Sequence, residues 1–132
     1  MTVALTTLRT TIAEALENPA AWQTFSFPPP TILANSVIVA PADPYIVPAN
    51  GHFNQAAIRP QANFKIIMTV QAYDNQGNLA SIEDTMIAVF NQLADSAIVF
   101  SVTAISAPTI LDAASGSLLM AELQITVLTT WS

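Results

Sequence analysis

Apolar residues near the start of the chain recur at helical spacing. Between residues 2 and 18 they lie three or four positions apart, at Leu5, Leu8, Ile12 and Leu16. This spacing places all four on one side of an amphipathic helix. Pro19 follows directly and disfavours continuation, so the helix should end at about Asn18.

A second helical stripe lies in the middle of the chain, at Ile82, Met86, Val89, Phe90 and Leu93. Residues 74–78, Asp-Asn-Gln-Gly-Asn, have the composition of a turn. We therefore expect the second helix to begin near Ser81, which could cap it. Glu83 and Asp84 would then lie in its first turn, where carboxylates stabilise the helix dipole.

Between these helices and after them the apolar pattern changes to period two. Residues 62–73 alternate, with Phe64, Ile66, Met68 and Val70 on one side, and this is typical of a strand with one buried face. Shorter extended pieces are predicted at 21–27 and 36–40. A closing hairpin is predicted from strands at 98–107 and 118–131, joined by 108–116.

This order of elements predicts an α+β fold, with an antiparallel or mixed β-sheet and both helices packed on one face. The 132 residues are enough for one hydrophobic core but not for two. We therefore expect a single domain spanning residues 1–132.

Residues 41–61 fit neither pattern. The segment contains four prolines and one glycine, yet it also carries large apolar side chains, namely Tyr45, Ile46, Val47, Phe53 and Ile58. A loop of about twenty residues is unusual inside a compact domain. We therefore predict an extended proline-rich arm whose five apolar residues form an interface with another chain.

The composition also favours a protein that packs against other chains. Only 9% of residues are charged, against about 25% in a typical globular domain. The net charge is −6, which argues against binding to a phosphate backbone. No segment has the length of a membrane-spanning helix, and we expect no membrane association.

We find no residue set suited to catalysis, to a cofactor or to a metal ion. His52 is the single histidine, and no Asp or Glu stands near it at ligand spacing. Glu83 and Asp84 are adjacent, so on a helix they point about 100° apart and do not face each other. There is no cysteine and no glycine-rich phosphate loop. We therefore expect a protein that is not an enzyme.

The whole-chain pattern resembles the tail terminator proteins of long-tailed bacteriophages, particularly those of actinobacteria. The resemblance is carried by the helix LTTLRTTIAEALENPAAW, the strand and loop SVIVAPADPYIVP, the strand ANFKIIMTVQAYD, the helix with IEDTMIAVFNQL and the closing hairpin. It implies a homohexameric ring at the head–tail junction of the virion, assembled in the host cytoplasm. Such a ring ends polymerisation of the tail tube and offers the surface for head–tail joining. Its partners would be the major tail tube protein and a neck or connector protein, and DNA would cross its lumen without specific binding.

Two other functions remain open from the sequence. A neck, tail-completion or head–tail connector protein of related α+β build would contact the connector more than the tube. A small oligomeric ligand-binding module would hold its ligand between helix and sheet, and it would need convergent buried polar groups.

Overall fold

The computed structural model describes residues 3–29, 32–48, 60–71, 76–113 and 116–130. In chain order the elements are β1 (Val3–Ala4), α1 (Leu5–Ala15), β2 (Gln23–Phe25), β3 (Ser36–Pro48), β4 (Pro60–Gln71), α2 (Gln76–Ala94), β5 (Phe100–Ile105), β6 (Thr109–Ala113) and β7 (Gly116–Thr130). The predicted α+β class with two helices is confirmed.

The described strands form one mixed sheet in which β4 and β7 are central. The strand order is β1-β7-β4-β3-β2, and β5 and β6 also pair with β7. The β1–β7 and β2–β3 pairs are parallel, and the other pairs are antiparallel. The two long antiparallel ladders, β3–β4 and β4–β7, bring together residues distant in sequence and form the body of the sheet.

The predicted alternation in β4 is confirmed, because Phe64, Ile66 and Met68 are completely buried on one face of the sheet. Their cross-strand partners in β7, Ile125, Leu123 and Ala121, are buried too. One hydrophobic cluster joins these strand residues to the apolar stripes of both helices, which contribute Leu8, Ile12, Leu16, Ile82, Val89 and Leu93. Both helices therefore cover the same face, as predicted.

The end of α1 is tied to α2 and to the chain that follows it. The side-chain amide of Gln92 donates hydrogen bonds to the carbonyl oxygens of Ala15 (3.1 Å) and Glu17 (2.8 Å). The buried indole N–H of Trp22 donates to the carbonyl of Leu16 at 2.8 Å. The last carbonyls of a helix have no intrahelical partner, so these contacts satisfy α1 and fix its position against α2.

The start of α2 differs from the prediction. The helix begins at Gln76, so residues 76–78 are helical and not part of a turn, and Ser81 lies inside the helix. Within the helix the Ser81 carbonyl accepts a hydrogen bond from Thr85 Oγ1. Glu83 and Asp84 therefore lie beyond the first turn, away from the N-terminal end of the dipole. The turn-forming composition of residues 74–78 misled the prediction, because polar residues and a glycine are also tolerated at a helix start.

The C-terminal hairpin also differs in detail. The segment 108–116 was expected to be a connection, but Thr109–Ala113 forms strand β6 and pairs with β7. The preceding strand is correspondingly shorter than predicted, at Phe100–Ile105. A register shift between Val102 and Ala104 bends this strand where it runs along β7. Pro108 itself lies outside both strands, in the break at 106–108, and pairing with the long strand β7 makes the residues that follow it extended.

The predicted arm at 41–61 is corrected for the residues that the structure describes. Residues 41–48 continue β3, and residues 60–61 begin β4, with the pairing reaching Pro48 opposite Pro60. A bulge between Pro41 and Ile46 accommodates the prolines without ending the ladder. This part of the segment therefore belongs to the sheet. Residues 49–59 lie outside the described residues.

Within the described part of the chain, neither helix is both long enough and apolar enough to cross a membrane.

Candidate interaction surface

An apolar groove lies between α2 and strand β5, at one edge of the sheet. Its volume is about 720 Å³, and it is lined by Ala80, Glu83, Asp84, Met86, Ile87, Phe90 and Ile105. Six of these residues come from α2, and Ile105 forms the opposite wall from β5. We call this feature the α2–β5 groove.

The groove exists because the sheet is wider than the helix layer above it. Val102 pairs with Ile125 and Ile105 pairs with Leu123, both of which are buried on the helix-covered face of β7. Directly paired residues share a face of the sheet. Yet Val102 is 37% exposed and Ile105 is 46% exposed. The helix-covered face therefore continues to this edge, but α2 does not cover it there.

The helix side of the groove is equally apolar. Phe90 packs edge-to-face on Phe100, with ring centroids 6.2 Å apart and an interplanar angle of 73°. Phe90 nevertheless remains 38% exposed, and Ile87, one turn earlier, is 60% exposed. Ile110 in β6 extends the apolar surface along the same edge. The exposed apolar side chains of Ile87, Phe90 and Ile105 line one groove, and an exposed apolar patch of this kind marks an interaction site more often than a plain surface does.

The charges of the groove are acidic. Glu83 and Asp84 are exposed and stand among its lining residues, and no Lys or Arg lines it within the described residues. An apolar floor with an acidic rim is complementary to a partner that combines apolar side chains with a positive charge.

The edge of the sheet beside the groove is also open. In the described part of the chain, no further strand pairs with β5 or β6 on the side away from β7. An edge strand presents backbone N–H and C=O groups that can pair with another chain. The groove and this edge together offer both an apolar and a backbone-mediated means of contact.

The residues predicted to form an interface are distributed differently. Tyr45 is half-buried and packs edge-to-face on Phe64, with centroids 5.5 Å apart and planes at 79°. Ile46 is half-buried opposite Ala62, and Val47 is exposed opposite Gln61. Tyr45 thus packs against the edge of the hydrophobic core. Phe53 and Ile58 lie outside the described residues.

The sequence pattern does not reveal the residues that build the groove. Met86 and Phe90 belong to the apolar stripe that predicts the buried side of α2, and Ile87 and Ile105 belong to no predicted site. Ile87 could have been noticed, because it is a large apolar residue beside that stripe and not on it. Only the pairing of β5 with β7 brings Ile105 to the same groove as Ile87.

The acidic residues do not converge on a metal site in the described parts of the chain. Glu83 and Asp84 are exposed on α2, and no group of three His, Asp or Glu residues there could hold a metal ion. Each buried side-chain nitrogen or oxygen in these parts has a hydrogen-bond partner. Among the described residues, no unsatisfied buried side-chain group therefore points into the groove to receive a polar ligand. His52 lies outside the described residues.

In comparisons with known proteins, no protein-family model matches the chain and no curated protein matches its sequence.

Proposed function

We propose that the protein is a structural subunit that assembles with copies of itself into a ring, and that this ring terminates a phage tail tube and carries the head–tail joining surface. The observation that supports self-assembly best is the exposed α2–β5 groove beside an open sheet edge. The assignment to a tail follows from the resemblance of the sequence to tail terminator proteins.

Burial of the groove supplies a physical reason for assembly. Ile87, Phe90 and Ile105 each retain a large exposed apolar area in the single chain. Removing apolar area from water stabilises an interface by about 25 cal/mol per Å² before the costs of association. A low charge content reduces the repulsion and desolvation that would oppose such contact.

The charge of the chain suits a ring through which DNA passes. The net charge is −6, with three basic residues in all. A lumen wall without clustered Lys or Arg does not retain the phosphate backbone by releasing counterions. The same argument holds for a neck or connector protein, which is the alternative within the virion.

A ligand-binding module is the second candidate, and the position of the groove between helix and sheet favours it. The lining is apolar, however, apart from two solvent-exposed carboxylates. Small-molecule sites usually add a few convergent polar groups that orient the ligand. A protein surface is the better match to an open apolar groove of this kind.

Two measurements test the proposal. Native mass spectrometry of the purified protein should show a closed oligomer, with six copies expected. Electron microscopy of particles assembled without the protein should show tails of abnormal length that fail to join heads. Normal tails joined to heads would exclude the terminator function, and a monomer at all accessible concentrations would exclude the ring.

A further inference from the structure

We propose that two copies of the protein pair through their β5 strands, antiparallel and about a two-fold axis perpendicular to the sheet, so that the two α2–β5 grooves join into one buried apolar layer. The inference goes beyond the proposed function, because it specifies how two copies meet whether or not such pairs then close into a ring. A two-fold contact joins two copies only, and ring closure requires a further contact.

Exposed apolar side chains are concentrated at this edge of the sheet. Among the described residues, ten large apolar side chains are exposed. Six of them lie on the groove side of α2, on β5 or β6, or directly before β5, namely Ile87, Phe90, Val99, Val102, Ile105 and Ile110. The other four lie elsewhere in the chain. The β5–β6 edge and its groove are therefore the part of the described surface that gains most from being covered.

The exposed apolar area matches what a stable pair requires. The six side chains are between 37% and 64% exposed. At roughly 150 Å² for a large apolar side chain, with about half of each exposed, one copy presents about 450 Å² and a pair buries about 900 Å². A specific interface buries about 1,600 Å² in total, and about 57% of this area, or about 900 Å², is apolar. A second copy therefore covers the groove with a surface of sufficient size.

The opposite edge of the sheet resists pairing. Its outermost strand, β2, has only three residues, Gln23–Phe25. Beyond the part that β2 covers, β3 carries Pro41, Pro44 and Pro48. Proline has no N–H group, and short edge strands and prolines both hinder the addition of a further strand. The β5 strand of one copy is therefore not expected to continue its sheet on the β2–β3 edge of the next copy.

The β5–β6 edge lacks these obstacles. From Phe100 to Leu111 the sequence contains no Lys, Arg, Asp or Glu, and Pro108 lies between the two strands. Among the described residues, no strand pairs with β5 on the side away from β7. The matching free edge is therefore β5 of a second copy. A contact that uses the same surface on both copies is isologous and has two-fold symmetry.

The acidic rims of the two grooves are compatible with this contact. Helix α2 packs on β4 and β7, so three strand spacings, or about 14 Å, separate the α2 axes of the two copies at the least. This separation exceeds the Debye length of about 8 Å at physiological salt. Glu83 and Asp84 are exposed, and water and salt therefore screen their repulsion across the pair.

A lysine on the edge strand tests the contact. Val102→Lys places a charge on the proposed pairing edge, and inward-pointing charges are a means by which natural edge strands avoid pairing. Val47→Lys is the matched control, because Val47 is also 37% exposed but lies on β3. In sedimentation velocity, the smallest associated species of the unmodified protein should be a dimer. Val102→Lys should weaken dimerisation at least about tenfold, and Val47→Lys should leave it unchanged.

Neutralising the rim separates edge pairing from a contact made by charge. Glu83→Gln combined with Asp84→Asn should dimerise at least as tightly as the unmodified protein, because the carboxylates contribute only repulsion. Weaker dimerisation of this double variant would contradict the proposed pairing. Thermal unfolding of each variant checks that it is folded.

Cysteine substitution provides a second measurement, which also tests the symmetry. The chain contains no cysteine, so a single introduced cysteine can form a disulfide only with its own copy. Residues near a two-fold axis face themselves, and directly opposite Cβ atoms in an antiparallel pair are about 4.5–5.5 Å apart. At least one of Ser101→Cys, Val102→Cys, Thr103→Cys and Ala104→Cys should therefore oxidise to a covalent dimer more readily than Val47→Cys.

The outcomes separate this contact from the ring. If Val102→Lys dimerises like the unmodified protein, or if no β5 cysteine cross-links more readily than Val47→Cys, the contact is wrong, and a ring seen by native mass spectrometry stands. If the unmodified protein is a dimer at all accessible concentrations, the contact stands and the ring is excluded. A monomer at all accessible concentrations refutes both.

Discussion

Replacing Tyr45 by alanine should destabilise the single folded chain. The sequence placed Tyr45 in an arm, where its removal would leave unfolding of the monomer nearly unchanged. In the structure Tyr45 lies in β3, packs edge-to-face on the completely buried Phe64 and joins the margin of the hydrophobic core. The expectation for this variant is therefore reversed.

The magnitude follows from how much of the ring is buried. Truncation of a fully buried aromatic residue to alanine costs about 3–5 kcal/mol, and an edge-to-face pair accounts for about 0.5–1.5 kcal/mol beyond its buried area. Tyr45 is half-buried, so we expect a loss of about 2 kcal/mol in the free energy of unfolding. For 132 residues, with an unfolding entropy of about 2.1 cal/mol/K per residue, Tm should fall by about 7 °C.

The assay is thermal and urea unfolding followed by circular dichroism, at a protein concentration low enough that Tm no longer depends on it. Tyr45→Phe is the matched control, because it keeps the ring and removes only the hydroxyl. It should change the free energy of unfolding by less than about 0.5 kcal/mol. A double-mutant cycle with Phe64→Leu should show a coupling energy of about 0.5–1.5 kcal/mol between the two rings.

If Tyr45→Ala unfolds like the unmodified protein but fails to assemble, Tyr45 belongs to an interface and its packing on Phe64 contributes nothing to the monomer. A loss equal in Tyr45→Ala and Tyr45→Phe would also refute the reasoning, because it would assign the effect to the hydroxyl and not to the ring.

Three further predictions follow from other contacts. Gln92→Ala should lower the free energy of unfolding by about 1–2 kcal/mol in urea unfolding, because the carbonyls of Ala15 and Glu17 lose the side-chain amide that donates to them. Gln92→Glu is similar in size but cannot donate when ionised, so it should be destabilised to a similar extent. Thr69→Val should lower the free energy of unfolding by about 1–3 kcal/mol, since the buried hydroxyl of Thr69 donates to the Leu33 carbonyl at 2.7 Å and accepts from the Ser36 amide at 3.1 Å. An unchanged midpoint of urea unfolding would contradict this. Duplex DNA should bind weakly or not at all at physiological salt, given nine acidic and three basic residues, and submicromolar, salt-sensitive binding in a gel assay would refute this.

Local patterns of apolar residues determined a large part of this fold. The stripe at Leu8, Ile12 and Leu16 and the alternation from Phe64 to Val70 were predicted, and the structure buries these residues. A helix or a strand with one buried face must repeat its apolar positions with the period of its own geometry. Such a signal lies within a short stretch of chain and can be read without knowing the partner that covers it.

The parts of the fold that local patterns did not predict depend on pairing between strands distant in sequence. Residues 41–48 carry three prolines and look like a loop in isolation, yet β4 supplies a ladder that holds them in β3 around a bulge. Similarly, β7 turns residues 109–113 into a strand. The stabilising hydrogen bonds come from residues remote in sequence, so the local composition did not reveal them.

The candidate site depends on tertiary structure even more strongly. The sequence established that the chain has little charge and many apolar residues, which predicted contact with other chains. It did not show which residues would form such a contact, because Ile87 and Ile105 become one surface only when β5 pairs with β7 beyond the reach of α2. The relative widths of the sheet and the helix layer decide which apolar residues stay exposed, and those widths result from the packing of the whole chain.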